Sequence, residues 1–318
     1  MRVLLLSSFS KPWDNFYSYK LGFEKNGHKV YSFGKRDSEL LNFVNSNKPD
    51  FILFTKDEVD VEFLEPIKGK VPLVMWYPDP VIPDWLIPYV KVTDVLFTMS
   101  EGLIEEFKKY NPKTFWLTQA FEPDLFRISK ITDDDIKNFS CDVTHIGNLG
   151  SKAQYLIRRQ YLKRIIREGF KLKWWGPPLP RKISTIPLLL SNLNRAYGGR
   201  MLWGEDYAKA CILSKIYLGV DSMPHIKKSM SHRLYKSMGC GAFYLCQHVN
   251  GIDEMFKIGE ELETFDSEEE MIDKIKFYLI NENLRKKIAE RGKERILKEH
   301  TYEVRIRQML EILKGEVL

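Results

Sequence analysis

An arginine at the start of a predicted helix is the strongest candidate for chemistry in this chain. Pro224 and a polar run precede Ser231, which is suited to cap a helix, and Arg233 falls in the first turn. Unpaired backbone N–H groups and the positive end of the helix dipole favour an anion there, and a guanidinium can grip phosphate oxygens in two places. The pattern predicts a diphosphate site at Arg233, with His232 and Lys236 as further candidate donors.

The turn after this helix also favours a bound molecule. Gly239 and Gly241 end the helix, and residues 242–245 begin a buried strand, so the backbone can approach a ligand closely. Taken alone, the same motif fits an ordinary helix that has a surface arginine and a glycine cap.

Two strand ends in the second half of the chain carry residues suited to nucleotide binding. Ligands of open α/β sheets bind at the carboxyl ends of the strands. Gly147 and Asn148 follow one predicted strand, and Trp175 and Gly176 follow the next. We expect Gly147 and Asn148 to hold a base or a phosphate. Trp175 is a candidate for stacking on a base, and the alternative is a core tryptophan.

A carboxylate in the first half is the best candidate for a general base. Asp79 stands between Pro78 and Pro80 just beyond a predicted strand, and this rigid loop would fix its direction. The alternative is an aspartate that forms a turn. The rival bases are His28, His145 and Asp14, and a mechanism that retains the configuration at the reacting carbon needs no such base.

The first half of the chain reads as a doubly wound parallel sheet, because short apolar strands alternate with helical patterns. No G-x-G-x-x-G follows the first strand, so a dinucleotide cofactor is not indicated. No other cofactor is expected. The predicted strands are residues 2–6, 29–33, 51–54, 73–76, 95–98 and 114–118, and the predicted helices are residues 13–25, 38–45 and 101–110.

A second sheet is predicted after a polar, turn-rich link at residues 121–139. Its strands are expected from residue 142 and at residues 171–175, 216–220 and 242–245, with a helix at residues 205–213. After residue 282 the pattern is helical almost to the end of the chain. The length of 318 residues also favours two domains.

Composition indicates a globular protein, since 44% of the residues are hydrophobic and 13% are aromatic. The apolar run at residues 3–6 is too short for a signal peptide and reads as the first strand, and no stretch is long enough for a membrane span. The cysteines, at positions 141, 211, 240 and 246, lack a CxxC spacing and are expected to be reduced core residues, which favours the cytoplasm.

No metal site is predicted. Cys240, Cys246, His232 and His248 do not have the spacing of a zinc site. The acidic triplet at residues 133–135 contains an Asp-x-Asp, which can ligate a metal ion at the end of a strand, but it lies in the polar link and is expected to cap a short helix.

Basic residues crowd residues 158–182, although the net charge is only +6. Such a stretch could attract a nucleotide, an anionic acceptor, a membrane surface or nucleic acid. Since Leu156, Tyr161, Leu162 and Ile165 form an inward stripe, we interpret most of these cations as a solvated helix face.

Several motifs in the second half resemble one known family. They are Arg-x-Tyr-x-x-x-x-Cys-Gly-Ala-Phe-x-Leu from residue 233, Glu-Met-Phe-x-x-Gly-x-Glu-Leu from 254, Arg-x-x-Ile-Ala-x-x-Gly from 285 and His-Thr-Tyr-x-x-Arg from 300. In this order they resemble the C-terminal half of the CgeB-like spore-maturation glycosyltransferases of the GT-B superfamily, over roughly residues 140–310.

The resemblance implies a GT-B fold, in which two Rossmann-like domains face a central cleft. The domains would be residues 1–125 for the acceptor and 126–300 for the donor, and the helix at about 301–318 would pack back on the first domain. The implied donor set is Gly147, Asn148, Trp175, Gly176, Ser231, His232, Arg233, Tyr235, Lys236 and Gly241. The family usually has Glu, a ribose contact, at the position of Lys236.

The implied activity is the metal-independent transfer of a hexosyl group from a nucleotide sugar, UDP-type favoured, to an acceptor hydroxyl. Arg233 would neutralise the leaving diphosphate, and Asp79 would be the base. The acceptor class stays open between glycan, protein, small molecule and DNA. Two alternatives are a DNA-modifying glycosyltransferase that acts on a hydroxylated base, and a catalytically silent protein that binds nucleotide sugars.

Overall fold

The computed structural model describes residues 1–9, 15–34, 39–55, 59–150, 155–179 and 186–318, and the chain divides into two α/β units. The first unit contains Met1–Glu122, His225–Met230 and Glu299–Leu318, and the second contains Pro123–Pro224 and Ser231–Lys298. The sequence pattern does not predict that His225–Met230 belongs with the first unit. Its place there rests on contacts such as the Gly102 N–H, which donates to the Lys227 carbonyl at 3.0 Å.

The first unit is built on a parallel sheet whose strand order is β2-β1-β3-β4-β5-β6 among the described residues. The central strands are apolar along their whole length because helices cover both faces of the sheet. The strands are β1 (Arg2–Leu6), β2 (Lys29–Phe33), β3 (Phe51–Phe54), β4 (Leu73–Tyr77), β5 (Val95–Thr98) and β6 (Thr114–Trp116). The helices are α1 (Asn15–Lys25), α2 (Glu39–Asn47), α3 (Val61–Leu64), α4 (Ile87–Val92) and α5 (Ile104–Lys108).

The second unit is built on a parallel sheet in the order β11-β10-β9-β7-β8 among its described residues. Its strands are β7 (Cys141–Ile146), β8 (Leu172–Trp175), β9 (Ser214–Gly219), β10 (Tyr244–Gln247) and β11 (Glu263–Phe265). Its helices are α6 (Asp133–Phe139), α7 (Leu156–Arg167), α8 (Ile186–Leu189), α9 (Asn192–Arg195), α10 (Gly204–Leu213), α11 (His232–Gly239), α12 (Glu268–Ile280) and α13 (Glu282–Glu299).

The last helix, α14 (Tyr302–Glu316), belongs to the first unit. Tyr302 and Ile306 pack in its core, where Gly22 of α1 lets the two helices approach closely. The Phe121 N–H donates to His300 O at 2.8 Å, and the Tyr302 N–H donates to Phe121 O at 3.0 Å. Buried Arg305 donates to the Gln119 carbonyl at 3.2 Å. The His-Thr-Tyr-x-x-Arg motif therefore fixes the end of the chain to the first unit.

Most predicted strands lie within one or two residues of their observed bounds. The helices predicted at 13–25 and 38–45 are observed as α1 and α2, and residues 13 and 38 lie outside the described residues. The polar link contains α6, where Thr132 and Asp135 form a reciprocal capping box. The acidic triplet thus caps a helix, as predicted.

All four cysteines are buried and none forms a disulfide, which agrees with their interpretation as core residues. Among the described residues, no helix combines the length and apolar character that a membrane crossing requires.

Gly292 of α13 explains the glycine in the Arg-x-x-Ile-Ala-x-x-Gly motif. A Cβ at this position would lie 2.2 Å from the Glu261 carbonyl oxygen and 3.0 Å from Cε of Met238. The helix can therefore pack against residue 261 only without a side chain at position 292.

We expect Gly292→Ala to lower the free energy of unfolding by about 1–3 kcal/mol, because the added methyl group overlaps backbone. Gly315→Ala in α14 is the matched control, since nothing lies within 4 Å of its Cβ position. Urea denaturation followed by circular dichroism measures both midpoints. Equal midpoints for the two variants would contradict the close packing of α13.

Candidate functional site

Arg233 lies in the first turn of α11, as the sequence predicts. Its side chain turns toward the end of β9, where Nη2 donates to the Val220 carbonyl and to Asp221 Oδ1, both at 2.9 Å. Both of these bonds come from Nη2. The buried Nε has no hydrogen-bond partner among the described residues. Arg233 therefore keeps unused donor capacity beside the sheet.

Asp221 is a site residue that the sequence reasoning missed. It is buried just after β9, and its carboxylate is the acidic partner of Arg233. Burial works to lower the pKa of Arg233, but Asp221 and the neighbouring tyrosines outweigh it and raise that pKa. The guanidinium is thus charged throughout the physiological range. The rule that ligands meet strand ends would have found Asp221, since it follows a predicted strand.

Arg158 of α7 also reaches this region, and it is an exception to the solvated helix face that the sequence indicates for most of these cations. It is buried, its Nε donates to the Val220 carbonyl at 3.0 Å, and its Nη1 donates to the Asn148 carbonyl at 3.3 Å. Burial and the charge of Arg233 lower its pKa. Two guanidinium groups therefore share the Val220 carbonyl.

His145 of β7 lies fully buried beside the two arginines. A carbonyl oxygen can only accept, so its Nδ1–H donates to Leu218 O at 2.9 Å, which leaves a lone pair on Nε2. Burial, Arg233 and Arg158 lower the pKa of His145 to about 3, so the ring is neutral. Its Nε2 has no partner among the described residues.

Gly147 lies where these groups converge. A Cβ on Gly147 would lie 2.8 Å from His145 Nε2 and 3.4 Å from Arg233 Nη1. A side chain here would collide with the imidazole, so glycine keeps the backbone beside both groups. Gly176 is equally constrained, because its Cβ would lie 2.3 Å from the Gly147 carbonyl oxygen.

Lys236 lies one turn after Arg233 and is half-buried. Its ammonium lies 5.0 Å from the ring centroid of Trp203 and 5.4 Å from that of Tyr207, and it forms no ion pair in the described part of the chain. Burial and the charge of Arg233 lower the pKa of Lys236 to about 8. The aromatic faces attract the ammonium but do not neutralise it.

The charges of the side chains around Arg233 do not balance. Arg158, Arg233 and Lys236 are cations, and Asp221 is the carboxylate that pairs with Arg233. The excess of about two positive charges, in a largely buried place, favours a ligand with at least two negative charges. Like His145 Nε2, the Tyr244 hydroxyl is buried near Asp221 and Arg233 and has no hydrogen-bond partner among the described residues.

Several predicted donor residues lie with this group. Ser231 occupies the position before α11, but its side chain makes no capping bond and its Oγ is buried without a partner among the described residues. His232 begins the helix and is half-buried. Asn148 Oδ1 accepts from the Gly150 N–H at 2.7 Å, which orders the loop after β7.

Three predicted donor residues lie elsewhere in the second unit. The buried ring of Trp175 packs against Phe139 and over Gly198, so it offers no open face for a base. Tyr235 is fully buried and contacts Phe256. Gly241, at φ +92°, lies beyond the far end of α11 from Arg233. Packing thus assigns these residues to the core and the turn.

The candidate bases lie in different places. Asp79 belongs to the first unit, half-buried just after β4, and together with burial it raises the pKa of Tyr77. His28 precedes β2, at the amino end of the sheet, where the N-terminal amine contacts it. This is the edge opposite to that where ligands of such sheets bind. Asp14 lies outside the described residues.

The model of a family described as glycosyl transferase-like matches residues 157–311. A comparison with curated proteins finds no match. Two of the solved structures that match share 12% identity with this chain over 99% of its length. HepE from Anabaena in complex with UDP and glucose has a TM-score of 0.66 and is covered over 100% of its length. Sucrose-phosphate synthase from Thermosynechococcus elongatus has a TM-score of 0.71 and is covered over 98%.

A third similar structure is an α-glucosyltransferase in complex with UDP and a 13-mer DNA that contains an HMU base. Its TM-score is 0.67, its identity is 12%, and 99% of each chain is covered. At such low identity these likenesses show the fold, which agrees with the two parallel sheets described above. The chain therefore has the fold of the GT-B glycosyltransferases, and its residues 157–311 match the glycosyl transferase-like family model.

Proposed function

We propose that the protein transfers a hexosyl group from a UDP-type nucleotide sugar to an acceptor hydroxyl, and that it needs no metal ion. The observation that carries the proposal is the excess positive charge of Arg158, Arg233 and Lys236, of which Arg233 lies beside Gly147. A diphosphate has the charge and the oxygens to satisfy it. The complexes of HepE with UDP and glucose support a UDP-type donor, and the CgeB-like grouping stays a prediction.

The diphosphate would bind at the start of α11. Arg233 Nε has no hydrogen-bond partner among the described residues, and the positive end of the helix dipole favours an anion beside it. As the bond between the anomeric carbon and the phosphate oxygen breaks, negative charge grows on the leaving group. Fixed cations stabilise that charge more than they stabilise the bound donor, which lowers the barrier.

The acceptor hydroxyl must lose its proton as its oxygen bonds to the anomeric carbon. Asp79 remains our proposed base for an inverting reaction, because it follows β4 at the carboxyl edge of the first sheet. Proline on either side restricts its loop, which fixes the direction of the carboxylate.

The DNA-modifying alternative rested on the basic stretch at residues 158–182, and the structure divides that stretch. Arg158 is buried, Arg159 donates to the Leu149 carbonyl, and Arg164 pairs with Glu168 at 2.9 Å. These three cations do not form one open surface for a nucleic acid. The silent-protein alternative is tested by donor hydrolysis in the experiment below.

Replacement of the central arginine is the first test. We expect Arg233→Ala to lower the rate of UDP-glucose hydrolysis or transfer by about 10²-fold or more, since the leaving group loses a fixed cation. Arg167→Ala, which removes an exposed arginine of α7, should leave the rate unchanged. UDP release is measured by a coupled assay, with circular dichroism to show that both variants fold.

Two results would reject the assigned role. An Arg233→Ala rate within about twofold of the wild type would remove Arg233 from the leaving-group site. Absence of both UDP binding and hydrolysis in the wild type would reject the UDP-type donor.

The titration of Lys236 gives a second test. Only the protonated amine attracts a diphosphate, and a bound anion raises its pKa above the value of about 8 in the free protein. Affinity for UDP should therefore be highest when the pH is below the pKa of Lys236 in the free protein, and it should fall as the pH rises through that pKa. Calorimetry between about pH 7 and pH 9.5 avoids the phosphate ionisation near 6.

Lys236→Met is the matched variant, because it keeps the length and apolar stem of the side chain. We expect weaker UDP binding at pH 7 and a flat dependence on pH. A wild-type affinity that does not change between these pH values would show that the amine does not meet the diphosphate.

A further inference from the structure

A cationic cavity of about 480 Å³ lies beside β8 in the second unit. Its lining includes Lys171, Lys173, Arg195 and Arg200, together with the ring of Tyr197, and no acidic residue contributes to the described lining. The volume is within the range of small-molecule sites. The cavity is distinct from the group around Arg233, whose residues do not line it.

The wall of the cavity is rigid. Because β8 is the edge strand, the segment after α9 pairs with it: the Trp174 N–H donates to Ala196 O at 2.9 Å, and the Gly198 N–H donates to Trp174 O at 2.8 Å. Tyr197 stacks on Trp174 with ring centroids 4.3 Å apart, and its hydroxyl donates to Gly176 O. The cations therefore project from a fixed framework.

Most of this positive charge is not neutralised. The ammonium of Lys173 donates to the carbonyls of Lys137 and Asn138, and Arg195 donates to the neutral side chain of Asn192 at 3.2 Å. Carbonyl oxygens satisfy hydrogen bonds but carry no opposite charge. Arg200 has a carboxylate partner, Asp206, at 2.7 Å. In the described part of the chain, Lys173 and Arg195 form no ion pair, and Lys171 meets Asp142 through its backbone N–H, which donates to Oδ2 at 3.0 Å.

The cavity adjoins the proposed donor site through one residue. Gly176 ends β8; its N–H donates to Arg200 O at 3.2 Å, and on its other side its Cβ position lies 2.3 Å from Gly147 O. The end of the cavity at Trp175 therefore lies one strand away from the end of β7, whereas Lys171 lies at the amino end of β8.

We propose that this cavity is a second anion site, and that it binds the phosphate group of a phosphorylated sugar acceptor. Lysine and arginine donors without ion-pair partners suit a phosphate, and the sugar of such an acceptor would extend from them along β8 toward the end of the cavity at Trp175. This inference rests on the proposed function. A phosphorylated molecule that regulates the enzyme would bind through the same chemistry. The experiments must therefore distinguish a regulator from an acceptor.

The first measurement is calorimetry of the full chain with inorganic pyrophosphate in a low-salt buffer, because salt screens exposed cations. We expect two sites. Arg233→Ala should remove one, and the double variant Lys171→Ala with Arg195→Ala should weaken the other by about tenfold or more. UDP binding should be unchanged in the double variant, which also shows that it folds.

The second measurement identifies the source of the phosphate. With UDP-glucose as donor, the double variant should raise KM for sugar phosphates used as acceptors, and leave donor hydrolysis and transfer to unphosphorylated sugars unchanged. A changed hydrolysis rate with no change in KM would indicate a regulatory anion and overturn the acceptor assignment.

Two further results would overturn the second site. One is a single pyrophosphate site in the wild type that Arg233→Ala abolishes, a result that leaves the proposed function intact. The other is a loss of affinity for duplex DNA, and not for pyrophosphate, in the double variant. Failure of UDP binding in the wild type would instead count against the proposed function.

Discussion

Positive charge buried at the end of β9 is the interaction on which the proposed site depends. Arg233 and Arg158 both donate to the Val220 carbonyl, and Asp221 neutralises only part of their charge. Such an arrangement costs stability unless an anion completes it. Neighbouring features agree with that requirement: Gly147 keeps the backbone close, and polar atoms of His145 and Tyr244 are buried without partners among the described residues.

Lys236 increases this charge. The resemblance implies glutamate here, and with glutamate the two arginines and two carboxylates would balance. Lysine leaves an excess of about two positive charges, and its ammonium lies over Trp203 and Tyr207. The substitution thus exchanges a carboxylate, which the resemblance assigns to ribose, for a cation suited to phosphate. This chain would then depend more on the diphosphate and less on the ribose for donor affinity.

The parts that the sequence predicted well are those that local patterns specify. Buried parallel strands such as Phe51–Phe54 are continuous apolar runs, and Arg233 is recognisable because a helix start follows a polar break. The strand Glu263–Phe265 was missed, since three residues carry too little pattern. Trp175 follows a strand as predicted, but its burial against Phe139 depends on tertiary packing.

The missing members of the site depend on contacts that are distant along the chain. Arg158 reaches Val220 across 62 positions, so helical periodicity alone does not distinguish it from the solvated cations of the same helix. The tautomer of His145 follows from Leu218, 73 positions away. Similarly, the return of His225–Met230 to the first unit follows from partners such as Gly102 and Glu101, which no local signal identifies.

The central claim is that this buried charge binds a diphosphate, and a comparison of uridine, UMP and UDP by calorimetry tests it most directly. The account predicts that UDP binds at least about tenfold more tightly than UMP, and that uridine binds more weakly than both. Equal affinity for the three compounds would show that the base and ribose carry the binding, and would contradict the role of Arg233, Arg158 and Lys236.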